Sequence, residues 1–342
     1  MLNILIALIF LSIIIMIHEL GHFLTGKFAG IYIEEFSIGM GPRLLKYGGE
    51  ETVYSLRAFP IGGYVKFLGE DDEDSDPRAF NNASVFKRFI VIASGAIMNF
   101  IFAILLLSIV FSTYGVNMPI PTIEEVLPGS PAHDAGLQAN DVILGVDNVD
   151  IQQLDGDKAI ETIRSTIDSR GNKSVNINVL RDGQYKSVQL TPVYDENEGI
   201  HIIGIRFGYE HKKLNFGNAI LLSGTQIGKM ATMMLKLVGN LIFKREGLDQ
   251  ITGPVGIVGE IGRAAEAGIE PLMYLAIIIS LNLGIINLIP FPALDGGRLL
   301  LLLIEAIRGK PMDREKEGLI NLIGFALLIL LMIVVTFKDI KG

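Results

Sequence analysis

Four stretches of this chain carry almost no charge over the length of a bilayer's hydrocarbon core, and that decides its fold class. A core about 30 Å thick needs roughly 20 apolar residues of helix. Met1–Ile17 is interrupted only by Asn3 and Ser12 and runs on through His18–Leu24, and Phe89–Ser112 is free of charge. Leu272–Ile304 holds only Asp295, Arg298 and two prolines, and Leu319–Phe337 is uncharged with a lone Asn321. The first run lacks the basic n-region and small-x-small cleavage site of a signal peptide, so it is expected to be retained as a span. The expectation is a polytopic α-helical membrane protein with about four transmembrane helices.

A fifth apolar stretch, Phe216–Phe243, reads differently. Its polar residues Asn218, Thr225, Lys229, Thr232, Lys236 and Asn240 recur at steps of three, four and seven, which is one stripe along a helix. That pattern predicts an amphipathic helix on the membrane surface or against a neighbouring domain, with lipid as a partner. Sidedness follows from Lys and Arg near the span ends. Lys27, Arg78, Lys87 and Arg88 flank the first two spans, Arg308, Lys310, Arg314 and Lys316 fill the last loop, and no Lys or Arg occurs from Phe89 through Asp157. Residues 25–87 and 305–318 are therefore expected on the cytoplasmic side, with about 115–270 outside. The acidic run Glu70–Asp76 reads as a solvated loop.

Composition removes several functions. The net charge is −8 with no basic face, which excludes nucleic acid as a principal partner. With no cysteine, disulfides, thiolate catalysis, Cys-ligated zinc and iron–sulfur clusters are excluded, and any metal must rest on His and carboxylates.

Residues 120–210 change character, with short alternating segments, turn residues and ordinary charge density. Strands are predicted at Ile120–Val126, Val142–Val146, Ser174–Leu180, Ser187–Pro192 and Ile202–Phe207, with a helix near Lys158–Asp168. Asp182-Gly183 between two strands is a hairpin signal. The stretch VLPGSPAHDAGLQANDVI from Val126 to Ile143 resembles the PDZ domains of bacterial envelope proteases. That resemblance implies capture of extended peptide or protein tails by strand addition.

The sharpest motif is His18-Glu19-Leu20-Gly21-His22. A four-residue step returns to the same helix face, so both imidazoles can meet one metal, with Glu19 beside them to take a proton from bound water. In a soluble protein such a pattern can arise by chance; inside a span, three ionisable groups in five residues point to a compensating role. Two His ligands leave a zinc site one protein ligand short. His133, His201 and His211 lie in the external region, and Asp295, in NLIPFPALDGG of the third span, is the standout carboxylate. Pro290 and Pro292 interrupt the helix there, and irregular backbone at membrane depth is tolerated only against protein or a wet cavity. A snorkelling Asp at a kink is the alternative. Four spans place His18, His22 and Asp295 at one depth, whereas five would not.

With these motifs in place the chain resembles the site-2 protease family, in particular the RseP-type intramembrane zinc metalloproteases with one PDZ domain. The resemblance implies that His18, His22 and Asp295 hold Zn2+ while Glu19 activates water. It also covers PIGGYV at 60–65, similar to the family's membrane-dipping β-loop, SGAIMN at 94–99, and GPVGI at 253–257. Gly62, Gly63 and Tyr64, together with Asn282 and Asn287, are then expected to hold unwound substrate. For both Asn residues interhelical hydrogen bonding is the competing role.

The implied division is 1–114 for the first two spans and β-loop, 115–212 for the PDZ domain, 213–271 for the amphipathic helix and connector, and 272–342 for the last two spans. Family members often carry two PDZ domains, and here there is room for one. The implied activity is hydrolysis of peptide bonds within or beside transmembrane segments of single-span, ectodomain-trimmed proteins in the bacterial cell membrane, with anti-sigma factors and remnant signal peptides as substrate classes. A PDZ scaffold with a structural metal, or a metal transporter, is the rival; neither has a use for Glu19.

Overall fold

The computed structural model describes residues 2–48, 51–70, 74–196, 198–244 and 252–341; residues 71–73 of the acidic run lie outside them. The chain divides into two compact units, residues 1–112 with 215–342, and residues 113–214. Of the expected 213–271 segment, the helices from residue 215 on thus group with the spans.

In the first unit, α1 (Leu2–Ala29) and α2 (Val85–Thr113) are the first two apolar runs in helical form. Between them lie β1 (Ile33–Tyr47) and β2 (Val53–Phe67), two long antiparallel strands. Both bend, because Phe36 pairs with Tyr54 on one side and with Val65 on the other. The two strands therefore behave as four short ones, with 63–67 along one edge. Buried Glu35 ties the sheet together: it accepts from Ser55 Oγ at 2.5 Å, Arg57 Nη2 at 2.9 Å and Arg43 Nη2 at 2.8 Å. Burial alone would raise its carboxyl; the Ser55, Arg57 and Tyr64 donors outweigh it and hold the group at about 2.

After the second unit come α5 (Phe216–Lys244), α6 (Pro254–Ala267), α7 (Ile269–Leu288), α8 (Asp295–Arg308) and α9 (Arg314–Lys341). Among the described residues four helices are long and apolar enough to cross a membrane: α1, α2, α7 and α9. The third predicted span, Leu272–Ile304, is two helices rather than one. Pro290 and Pro292 supply no N–H, so α7 stops at Leu288 and α8 restarts at Asp295. Two charges of α8 pair with other elements: Arg298 meets Glu70 at 2.5 Å and Glu305 meets Arg88 at 2.5 Å. Helix α6, absent from the sequence expectation, packs between α1, α7 and α9.

The second unit is an antiparallel sheet with two helices. Its strands are β3 (Val116–Val126), β4 (Val142–Val146), β5 (Val149–Asp150), β6 (Val175–Arg181), β7 (Gln184–Leu190), β8 (Val193–Asp195), β9 (Ile200–Ile202) and β10 (Ile205–Lys212). The main sheet runs β10-β3-β4-β6-β7, and β8 pairs with β9. The helices are the short α3 (Pro131–Asp134) and α4 (Gly156–Arg170). Val175, Ile177 and Val179 point inward at the two-residue strand period, onto Ile163 and Ile167 of α4. Asp182 and Gly183, at φ 53° and 77°, make the predicted tight hairpin, whose two central residues need positive φ.

Candidate metal centre

Small residues bring α1 and α2 together at the motif. A Cβ on Gly21 would lie 2.3 Å from the Ser94 carbonyl oxygen, so only glycine permits this backbone approach. His18 and His22, four residues apart, both turn into that contact and are buried. The close neighbour fixes each ring. His22 Nδ1 lies 2.8 Å from the Val91 carbonyl oxygen, which can only accept, so Nδ1 carries the proton. His18 Nδ1 lies 3.2 Å from Asn99 Nδ2, and a half-turn of that amide exchanges its nitrogen and oxygen. With Oδ1 of that amide turned to the ring, it accepts from Nδ1–H, and a buried oxygen that otherwise has no partner is satisfied.

Both Nε2 atoms are thereby left as lone-pair donors, 3.2 Å apart. Asp295, the first residue of α8, completes the group: its Oδ2 is 3.0 Å from His18 Nε2 and 3.3 Å from His22 Nε2. That oxygen is buried with no hydrogen bond of its own. Three converging acceptors with no proton between them are the signature of a cation site. Two ligands at about 2.05 Å from a tetrahedral zinc stand about 3.3 Å apart, close to all three separations. The residues present therefore fit zinc. Among the described residues this is the one His/Cys/carboxylate trio with metal-binding spacing.

Glu19 lies beside the trio and faces the backbone N–H of Val65, on the 63–67 edge. The same edge rests on α1, because a Cβ on Gly63 would lie 2.7 Å from Met16 Sδ and one on Gly62 3.5 Å from Ile15 Cγ2. Tyr64 turns its hydroxyl into the Glu35 cluster, where it accepts from Arg57. Asn287 Nδ2 is 3.4 Å from His18 Nε2, so its amide reaches the trio. Asn282 stands on an exposed face of α7. Sequence reasoning gave no role to Gly95 or Asn99, or to the Val91 carbonyl. The four-residue step from Gly95 to Asn99 was the available signal, since it sets both on the α2 face that meets the histidines.

Comparison with known proteins bears on the family and the activity. The model of peptidase family M50 matches residues 6–331. A candidate zinc metalloprotease of Clostridium acetobutylicum is 39% identical over 338 residues, covering 99% of this chain and 97% of the relative. The zinc metalloprotease RasP of Geobacillus kaustophilus is 31% identical, covering 96% of this chain and 95% of its own. The regulator of sigma-W protease RasP of Bacillus subtilis is 31% identical, covering 98% and 97%. Nearly full-length matches to metalloproteases, on a chain whose helices bury a zinc-shaped trio, lead to one conclusion: it belongs to peptidase family M50, the site-2 proteases, and is a membrane zinc metalloprotease.

Proposed function

We propose that His18, His22 and Asp295 hold the zinc, that Glu19 is the general base, and that the substrate is a transmembrane segment cleaved within or beside the bilayer. The observation that carries this reading is the convergence of His18 Nε2, His22 Nε2 and Asp295 Oδ2 next to Glu19 and the 63–67 edge. Zinc, when bound, polarises the scissile carbonyl and lowers the pKa of a coordinated water toward ~7. Glu19 takes the water proton and returns it to the leaving amine. Asn287, a neutral amide at the trio, donates to the carbonyl oxygen as it gains charge.

A helical substrate hides its carbonyls in i→i−4 bonds and must be extended before attack. The 63–67 segment is an edge of the sheet beside which such a segment can extend as an added strand, and Gly62 and Gly63 keep that edge close to α1. The exposed apolar side chains Met40, Leu44, Leu45 and Phe59 suit a sheet that dips into lipid. With residues 25–87 cytoplasmic, the metal centre lies near the cytoplasmic side and residues 113–214 lie outside.

That external unit is read as a PDZ domain. In support, β10 is an edge strand of the main sheet and can accept one more strand from a peptide or protein tail. Its presence outside suits a filter that admits substrates whose ectodomains are already trimmed. The relative named regulator of sigma-W protease supports anti-sigma factors as the leading substrate class, with remnant signal peptides second. Mass spectrometry of products from a purified single-span substrate tests the reading: a cut within or next to the apolar segment is expected, and cuts confined to soluble tails would contradict it.

A further inference from the structure

Helix α9 leaves most of its surface uncovered. At its far end Asp339 accepts the Gly253 and Gly256 N–H groups at the start of α6, at 3.0 and 2.8 Å. Near its start it touches the loop between α7 and α8. A Cβ on Gly324 would lie 2.5 Å from both the Cβ and the carbonyl oxygen of Pro292, so this contact needs glycine. One turn earlier, Asn321 Oδ1 accepts the N–H of Ala293 at 3.3 Å.

That loop has little to hold it in place. Pro290 and Pro292 have no N–H. Ile289 donates to the Ile286 carbonyl, Phe291 to Ile289 and Leu294 to Phe291, so those bonds stay within the turn itself. Ala293 alone sends its N–H to another helix. It does so from φ +71°, a left-handed conformation that an alanine keeps only when its surroundings demand it. Two residues later the chain reaches Asp295. Any rotation at Ala293 therefore moves the point where α8 begins and swings the carboxylate.

We infer that Asn321 and Gly324 are positioning residues for the metal centre. By seating Pro292 and holding the Ala293 amide, α9 fixes the direction in which Asp295 Oδ2 points. The inference rests on the reading of Asp295 as a zinc ligand. Asn321 also lines a polar cleft of about 980 Å³ shared with Glu70, Arg298 and Glu317, so an Asp in its place would be hydrated and would still accept from Ala293.

The test is zinc affinity of the purified full-length protein in detergent, by competition with a chelator, alongside the visible spectrum of the cobalt form and the unfolding midpoint of the metal-free form. Wild type is compared with Asp295→Asn, Asn321→Ala, Asn321→Asp and Gly324→Ala. Asn321→Ala and Gly324→Ala should each weaken zinc by about 10–100-fold, the usual effect of losing an outer-shell partner, with altered cobalt bands and little change in the metal-free midpoint. Asn321→Asp should bind close to wild type. Wild-type affinity in both Asn321→Ala and Gly324→Ala, with Asp295→Asn impaired, would overturn the inference and leave the ligand set intact. Equal weakening in Asn321→Ala and Asn321→Asp would also overturn it, since packing and not the hydrogen bond would then matter. Undiminished binding by Asp295→Asn would remove the ligand reading itself. If Asn321→Ala does not fold, Gly324→Ala and Asn321→Asp decide the matter.

Discussion

Gly95 stands so close to His22 that a Cβ on it would lie 2.3 Å from Nε2, the atom that faces Asp295. It would also lie 2.7 Å from His18 Cε1. The space at this glycine is the space of the metal centre, bounded by α1, α2 and the start of α8. Gly95→Ala should therefore displace both rings. Purified protein is expected to lose stoichiometric zinc by elemental analysis while still inserting into membranes; full zinc content would show that the trio does not bind the metal.

Asn99 acts through His18. With its amide turned so that Oδ1 faces the ring, it accepts from Nδ1–H and keeps Nε2 free as a lone-pair donor. Asn99→Ala should reduce zinc affinity by about 10–100-fold, as outer-shell losses generally do. Chelator competition measures this, and an affinity equal to wild type would disprove the role.

Substrate presentation and metal binding are separable on this geometry. Proline at position 63 removes an N–H from the sheet and forces atoms toward Ser37 O and Met16 Sδ, which would lie 2.5 and 2.7 Å from a Cβ there. Gly63→Pro is expected to keep its zinc and lose most cleavage of a single-span substrate. Unchanged kcat/KM would argue against the edge as the place where substrate extends.

The unit of residues 113–214 carries its own acid sensitivity. Asp141 is fully buried and accepts from Arg181 Nε and Nη2, both at 2.6 Å, and from the Gln138 N–H at 2.9 Å. Burial alone would raise its carboxyl, but Arg181 and the Gln138 amide outweigh that and hold it below the ordinary value. A depressed native pKa stabilises the fold at pH values above the unfolded value of about 3.9, and this contribution disappears as pH falls through the lower native one. Hydrogen exchange in β4 and β6 should be flat from pH 7 to 5, after correction for intrinsic rates, and loosen below about pH 4. Asp141→Asn leaves Arg181 without its charge partner and should cost about 3–5 kcal/mol at pH 7. A stability independent of both changes would refute the assignment.

Local chemistry was legible in the sequence where it depends on spacing alone. The four-residue step of His18 and His22 sets them on one helix face whatever surrounds them, and Asp182-Gly183 dictates its turn. Long uncharged runs likewise announced four membrane-length helices. What depends on how helices meet was harder to read. Val91 serves His22 through a backbone carbonyl, which every residue has, so no side chain marks it. Pro290 and Pro292 signalled an interruption, but that α8 begins at Asp295 follows from the turn they impose. The bent β1 and β2 are tied together by the Glu35 cluster, whose members Glu35, Ser55, Arg57 and Tyr64 are scattered over the sequence.

Cleavage of a single-span model substrate by purified protein in detergent, with wild type compared to Glu19→Gln at equal zinc occupancy, addresses the chemistry most directly. Wild type should cut the substrate, and the variant, which keeps His18, His22 and Asp295 but has no carboxylate to take the water proton, should not. Equal cleavage by the two proteins would contradict the assignment of Glu19 as the base.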